Sequence, residues 1–600
     1  MCGINAVYRY TAINKEDLQH VKNMNDKMRY RGPDGEGYWH DEHCVLGHVR
    51  LSIIGLATGA QPLFNKDKSL VLVSNGEIYN YRELKKELAM KGYVCTSDSD
   101  CEVILYLYEL YGLEFVHHLR GMFAFCLYDT KKQQLIVARD RIGEERVYYA
   151  EVPCGVVISS ELKTIMQEYV PNPQLNIESL LAPIRFTGGI DKRNTWIEQI
   201  KRVLPGEMLI IDANGVQHKR YWERKRTYNF EGTLEQAKEK TLELLHEAVD
   251  IEMRSDVPVA VMLSGGVDSS AVAAIAKRCG HEVHTITTGY TGSHAQDERD
   301  VAKRFAGEQG FVYHEIELSE NDYINSFDEL TAYLDEPMTD STAIAQWAMF
   351  KKVKELGFKV LLGGMGGDEL FYGYPAWNKL GESLQLRREH EAIFPWNTKE
   401  KKLHWLRFMH QHLKWVLFGG YPAKLEDKSY GWWIHDDYYR FLKNATLTFN
   451  GETISLEDYR YKIQKGFPLC EAGKEIDAIY DDCIDTVMTQ AYLYLSDRLS
   501  MGCSLEGRSP LLDYKLYEHV MSLPLEYKYV SGKPKQYFKD VLAGIVPDYI
   551  LYASKRGFTS PPSFVTNVAQ NYQYQCFKSD YKFYNSVLAD KLINSLIHHT

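Results

Sequence analysis

Six hundred residues exceed what one core usually organises, so at least two domains are expected. Hydrophobic residues make up 45% and charged residues 25% of the chain, and a net charge of −11 without a basic block excludes nucleic acid as the main partner. Eleven dispersed cysteines, no signal peptide and no run of about 18 apolar residues point to reduced thiols, a cytoplasmic location and no membrane partner.

The chain opens Met1-Cys2-Gly3-Ile4. Removing the initiator Met would leave a thiol and a free α-amine on one residue, a nucleophile carrying its own base. The unperturbed amine titrates near ~7.7–8.0 and the thiol near ~8.5, so a small environmental shift suffices to make thiolate at neutral pH. A cysteine at position 2 says little by itself. Over the first two hundred residues, short apolar stretches bounded by Gly, Asp and Asn predict strands at 69–74, 122–128, 134–138 and 156–160. Helical spacing of apolar residues marks 81–91 and 102–110. Residues 204–206, 208–212 and 213–215 read as turn, strand and turn, and a polar segment follows at 219–231. The domain boundary is placed there, giving units 1–218 and 219–600.

The character then changes. Residues 234–249 form a long amphipathic helix, and 257–263 is a continuous apolar run suited to a buried parallel strand. An alanine-rich helix at 269–279, a strand at 282–288 and another buried strand at 358–362 continue the alternation of a doubly wound α/β domain. Beyond about residue 381 the chain turns helical and aromatic. Between the first buried strand and the next helix stands Ser264-Gly265-Gly266-Val267-Asp268-Ser269-Ser270. Two glycines expose successive amides at a helix N-terminus, which is an anion cradle. Ser264, Ser269 and Ser270 can donate to phosphate, and Asp268 can hold Mg²⁺. The loop lacks the G-K-[ST] ending that serves γ-phosphate transfer. A second glycine-rich loop, 362–371, places Gly364 for close ligand approach and Asp368 to share Mg²⁺ with Asp268.

The first loop looks like the pyrophosphatase loop of enzymes that cleave ATP between its α- and β-phosphates. Together with Cys2 it resembles the asparagine synthetase family, class II glutamine amidotransferases fused to an ATP-pyrophosphatase synthetase domain. In the first domain the resemblance rests on M-C-G-I, R-G-P-D-G at 31–35, G-H-V-R-L-S-I at 47–53, S-N-G-E-I-Y-N at 74–80, S-D-C-E at 99–102, L-R-G-M-F-A-F at 119–125 and R-D-R at 139–141. In the second it rests on D-E-P at 335–337, D-R-L-S-M at 497–501, E-G-R-S-P-L-L-D at 506–513 and K-R-G-F at 555–558. The resemblance implies a four-layer α-β-β-α Ntn hydrolase domain, then a doubly wound α/β domain with a helical C-terminal part. It also implies the substrates glutamine, ATP with Mg²⁺ and a carboxylate acceptor, with room for a homodimer.

The resemblance makes Cys2 the thiol that attacks the glutamine amide, with Asn75 and Gly76 as the oxyanion hole. Arg50, Glu77 and Asp100 would hold the substrate's α-carboxylate and α-ammonium. Blander readings stand beside these: Asn75-Gly76 also fits a hairpin turn, and Arg50 and Asp100 also fit surface ion pairs. In the second domain Ser264, Gly265, Gly266, Asp268, Ser269, Ser270, Gly364 and Tyr374 would bind ATP and pyrophosphate. Asp268 and Asp368 would bind Mg²⁺. Lys535 falls on the family's catalytic lysine and Lys539 replaces its arginine, with Lys533 an alternative register.

Three departures stand out. Met365 occupies the place of an acidic residue linked, in the family, to activating ammonia. Residues 489–496 lack the usual acidic residues before D-R-x-S-M, and Gly143-Glu144-Glu145-Arg146-Val147 replaces G-x-K-P-L. The first two bear on the acceptor, and the last on packing or the domain interface. Aspartate is the default acceptor. The alternatives are another carboxylate, such as a sugar uronic acid or a specialised metabolite, and an intramolecular amide-forming cyclase.

Overall fold

The computed structural model describes residues 2–185, 192–292, 297–337, 340, 342–375, 377–379, 381–382, 385, 440–459, 470–471, 473–554, 560–580, 582 and 584–598. In the first half, the apolar runs fall into two six-stranded antiparallel sheets. One runs, in spatial order, Lys201–Arg202, Tyr148–Val152, Gly155–Ser159, Gly3–Arg9, Cys44–Arg50 and Gly35–His40. The other runs Gly215–Arg220, Glu207–Asp212, Gln134–Arg139, Gly121–Asp129, Leu70–Ile78 and Leu63–Phe64. Their inner faces close on a core that includes Ile4, Leu46, Val73, Cys126, Val137 and Ile158. Helices Lys15–Lys27 and Leu162–Tyr169 cover the first sheet, while Tyr81–Met90 and Val103–Tyr111 cover the second. The result is the expected α-β-β-α stack. The first helix starts where its sequence dictates, at Asn14, whose side chain accepts from Asp17 N while its own backbone N–H donates to the Asp17 carboxylate, a capping box.

One strand is longer than its apolar run. Leu70–Ile78 continues through Asn75 and Gly76, which pair with Ala124 and Phe123 of the neighbouring strand. Those two residues are therefore not a hairpin turn. Strand pairing, which a single segment cannot reveal, overrides local turn propensity here.

The second half contains a five-stranded parallel sheet in the order Val312–Leu318, His284–Tyr290, Val259–Met262, Val360–Leu362, Glu506–Arg508. The chain builds outward from Val259–Met262 in one direction, then returns to add strands on its other side. The order thus reverses between Val259–Met262 and Val360–Leu362, and ligands of open α/β sheets bind at the carboxyl ends of the strands at such a point. Both glycine-rich loops leave these two strands. Helix Leu234–Glu252 precedes the sheet, nucleated by the Thr233–Gln236 capping box. A π-helical stretch, Ile484–Tyr492, leads into helix Leu493–Gly502. A small antiparallel sheet of Glu452–Ser455, Thr446–Phe449 and Phe577–Lys578 was not legible in the sequence, since each strand is short. The K-R-G-F string and most of the aromatic stretch beyond residue 381 lie outside the described residues.

Buried ion pairs tie the halves together. Arg31 meets Asp497 at 2.7 Å, Arg120 meets Asp513 at 2.7 Å and Arg498 meets Glu161 at 2.8 Å. Removing one partner of such a pair strands a buried charge, at a cost of about 3–5 kcal/mol, so these pairs hold the two halves in one register. Among the described residues no helix is long and apolar enough to cross a membrane.

Candidate active sites

Cys2 precedes a central strand of the first sheet and is 7% exposed. Its Sγ lies 3.8 Å from the Leu51 carbonyl oxygen. Burial pushes the thiol up to about 11, away from the thiolate that a small downward shift would have sufficed to make. The thiol therefore keeps its proton at neutral pH and must lose it as it attacks. The backbone nitrogen of Cys2 donates to Asn75 Oδ1, so Asn75 grips the atom that becomes the α-amine once Met1 is removed. Asn75 Nδ2 donates in turn to Glu145.

Gly76 has φ +116°, and a Cβ there would lie 2.1 Å from the Met122 carbonyl oxygen and 2.8 Å from Phe123 Cα. Only glycine permits this backbone path. Gly76→Ala is expected to displace the strand beside Asn75 and lower glutamine hydrolysis on the order of 10²-fold, measured as glutamate release.

Around this strand the charges are unbalanced. Asp100 is buried, and its Oδ2 accepts from Ile78 N at 2.7 Å, so it is not a surface ion-pair member. Burial first, then Asp100 and Glu506, push Glu77 well above the usual carboxylate range, and Glu77 Oε2 has no hydrogen-bond partner among the described residues. Arg508 answers part of this charge, 2.7 Å from Glu506 and 3.8 Å from Glu77. Three carboxylates thus face the Arg508 guanidinium and the chain's N-terminal ammonium, which gives this side of the site an acidic lining. Arg50 is anchored by the carbonyls of residues 54–56, with its Nη2 2.7 Å from the Gly55 oxygen. This fixes the guanidinium on the loop that follows Leu51.

The second site assembles at the switch point of the parallel sheet. Gly265 has φ +80°, and Gly266 caps helix Val267–Arg278. Ser269 Oγ accepts from Ser264 N at 3.1 Å, and Ser264 Oγ accepts from Gly266 N at 3.3 Å, which shapes the turn. Ser270 Oγ is buried with no partner among the described residues. The two loops touch across glycines: a Cβ on Gly364 would lie 2.7 Å from Ser269 N, and one on Gly367 would lie 2.4 Å from Asp268 Oδ1.

The contact brings Asp268 and Asp368 together on Lys535. Its Nζ donates to Asp268 and, at 2.9 Å, to Asp368 Oδ1. Lys535 is buried at φ +58°, whereas Lys533 is exposed, so the geometry favours the first register. Burial acts to lower the ammonium's affinity for its proton, but Asp268 and Asp368 outweigh it and hold Lys535 above the usual lysine range. Two hard carboxylate oxygens converging on one positive centre suit Mg²⁺, which typically takes one or two carboxylates together with substrate phosphates.

Tyr374 donates to Glu369 Oε1 at 2.6 Å and meets Trp377 with the rings tilted by 43° and 4.1 Å apart, so it forms the wall beside Asp368. Burial, then Asp368, push Glu369 up to about 7. Met365 is half-buried and packs on the apolar core, so its loop position carries a thioether wall. Lys539, in helix Gln536–Val541, sits over the Tyr552 ring at 5.8 Å.

Sequence reasoning gave no role to Glu145, Glu369, Glu506 or Arg508. Glu506 and Arg508 stood within a quoted string, but their proximity to Glu77 spans more than four hundred residues. Glu145 was visible only as a departure from a pattern. Gly373 was also passed over, although a Cβ there would lie 1.9 Å from Asp368 Oδ1 and 2.4 Å from Lys535 Cε.

The glutamine amidotransferase domain family matches residues 1–222, and the asparagine synthase family matches residues 240–573. The chain is 32% identical over 569 residues to asparagine synthetase [glutamine-hydrolyzing] 1 of Bacillus subtilis (strain 168), covering 94% of this chain and 87% of the relative. It is 29% identical over 612 residues to the amidase chry2 of Gibberella zeae, covering 94% and 89%. It is 28% identical over 616 residues to the amidase chyE of Penicillium rubens, again covering 94% and 89%.

Proposed function

We propose, from the premise that this chain belongs to the asparagine synthase family, that it converts a carboxylate to an amide with nitrogen from glutamine and energy from ATP. An ATP-dependent, glutamine-using ligase is the activity of that family, and what remains open is the acceptor and the residue roles. The observation that carries the reading is the meeting of Asp268, Asp368 and Lys535 at the sheet's switch point, in a chain whose other half buries Cys2 against Asn75.

At the first site, in residues 1–218, the Cys2 thiol attacks the glutamine amide carbon and its proton passes to the Cys2 α-amine. Asn75 Nδ2 and the Gly76 amide stabilise the oxyanion. Ammonia leaves, and water releases glutamate from the thioester. Glu77 and Asp100 hold the α-ammonium, and Arg50 holds the α-carboxylate. At the second site, in residues 219–600, the acceptor carboxylate attacks the α-phosphorus of ATP and pyrophosphate leaves. Ser264, Gly265, Gly266, Ser269 and Ser270 hold the departing pyrophosphate, while Gly364 and Tyr374 line the nucleotide pocket. Mg²⁺ held by Asp268 and Asp368 would neutralise charge on the phosphates. Lys535 stabilises charge on the acyl-phosphate oxygens during adenylation and amide formation. Ammonia passing inside the protein then attacks the acyl carbon and AMP departs.

Aspartate is the first acceptor to test, and a different carboxylate is the second reading. The relatives include proteins named asparagine synthetases and proteins named amidases, and Met365 removes the loop acid that would take a proton from the incoming nitrogen. A cyclase needs no ammonia, and the intact Cys2, Asn75, Gly76 and Asp100 weigh against it. The test is ATP–pyrophosphate exchange with aspartate and with a panel of other carboxylates. Exchange with aspartate alone supports asparagine formation, exchange only with another carboxylate replaces it, and no exchange with any sinks the ligase reading. Met365→Glu is expected to raise amide formation from aspartate on the order of 10-fold or more if the missing base limits the rate, since general-base catalysis typically contributes 10²–10⁴-fold. An unchanged rate, measured with saturating ammonium, would move the cause to the acceptor pocket.

A further inference from the structure

The replacement Gly143-Glu144-Glu145-Arg146-Val147, set aside in the sequence as a packing change, lies against the first active site. Glu145 is fully buried, and its Oε2 accepts a hydrogen bond from Asn75 Nδ2. Its own placement is fixed from three directions. Asp140 accepts the backbone amides of Gly143 at 2.5 Å, Glu144 at 3.0 Å and Glu145 at 2.9 Å. Arg139 donates to the carbonyls of Glu145 at 2.6 Å, Gly143 at 2.7 Å and Val203 at 2.9 Å. Arg146 then reaches into the second half, donating to Gln490 Oε1 at 3.0 Å and to the Thr489 carbonyl. The R-D-R string thus serves as a brace for the loop that carries Glu145.

The chemistry of an amide gives this contact a consequence. Asn75 accepts through Oδ1 from Cys2 N and donates through Nδ2 to Glu145. A flipped amide would set its NH₂ against the Cys2 N–H, and its oxygen against Glu145 Oε2, which repels it wherever that oxygen carries no proton. With one Nδ2 hydrogen committed to Glu145, the other remains for an oxyanion. We propose that Glu145 is the positioning residue of the oxyanion hole, holding the Asn75 side chain in the one orientation that serves both the Cys2 nitrogen and the tetrahedral intermediate. The inference rests on the glutaminase reading of Cys2. A carboxyl oxygen accepts this bond in either protonation state, so the role requires an acceptor and not a charge. The charged groups facing Glu145 are Asp497, Arg31, the N-terminal ammonium and Asp140.

The discriminating pair is Glu145→Met, similar in size without an acceptor, and Glu145→Gln, which keeps one. Glutamate release, read as separate kcat and KM for glutamine, is expected to show kcat about 10–100-fold lower in Glu145→Met with KM little changed, a fraction of what loss of a whole oxyanion donor costs. Glu145→Gln is expected to recover most of that loss, and ammonia-dependent AMP formation should stay at the wild-type rate in both. An unchanged kcat in Glu145→Met, an equal fall in Glu145→Gln, or a parallel fall in ammonia-dependent AMP formation would each overturn the positioning role. Cys2→Ala in the same assay separates the premise: surviving glutamate release there would sink the glutaminase reading itself.

Discussion

Cys2→Ala is expected to abolish glutamine-dependent amide formation while leaving ammonia-dependent formation close to the wild-type rate. The covalent bond to the glutamine amide carbon is made by the Cys2 sulfur, and alanine leaves no atom there to make it. Glutamate release should fall by at least the 10²–10³-fold that even a single oxyanion donor is worth, and more because the covalent route itself is lost. The second domain touches this site through Glu506 and Arg508, but the substitution removes no charge from them. Loss of both activities would contradict two separate sites. The same chemistry predicts a pH dependence in the wild-type enzyme. The thiol must pass its proton to the α-amine, so glutamate release should fall as pH drops below the amine's ordinary range of about 7.7–8.0.

Lys535→Met is the second substitution with a large expected effect, and it should act in the opposite sense. It removes the ammonium that Asp268 and Asp368 share, leaving two half-buried carboxylates facing each other. ATP–pyrophosphate exchange is expected to fall on the order of 10³-fold, from the loss of charge stabilisation at a water-poor site. Glutamate release should persist, because Cys2 and Asn75 lie in the other sheet system. If exchange survives in Lys535→Met and falls in Lys533→Met, the lysine assignment shifts to the other register. Together the two substitutions divide the reaction between the halves of the chain.

Much of this arrangement was legible from local signals. Strand 257–263, the S-G-G-V-D-S-S loop and the helix after it lie close together in sequence, so a strand–turn–helix reading placed Asp268 and its serines correctly. Five of the twelve first-half strands were found from short apolar runs between turn residues, while others such as Gly3–Arg9 and Cys44–Arg50 were not. The ends of those found were displaced by up to four residues. Asn75-Gly76 shows why: its dipeptide is a turn signal, and only the pairing with Ala124 and Phe123 keeps it in the strand. The sequence offered the Cys2 thiol and its amine but not the direction in which the thiol shifts, which is upward because burial is a property of the assembled sheet. Glu145 was seen as an oddity, yet its partner is seventy residues away on another strand. Lys535 reached its carboxylates from a left-handed residue at a helix start, a conformation no spacing argument supplies. What sequence left open was contact between distant segments, and above all the walls of the acceptor pocket.

The account's central claim is that one chain couples glutamine's amide nitrogen to an adenylated carboxylate. It is tested most directly in a single reaction containing [amide-¹⁵N]glutamine, unlabelled ammonium, ATP, Mg²⁺ and the carboxylate that supports exchange. The account predicts AMP and pyrophosphate as the nucleotide products, with ¹⁵N retained in the new amide in step with glutamate formed. ADP and inorganic phosphate, or an amide nitrogen drawn from the unlabelled ammonium while glutamine is hydrolysed in parallel, would contradict it.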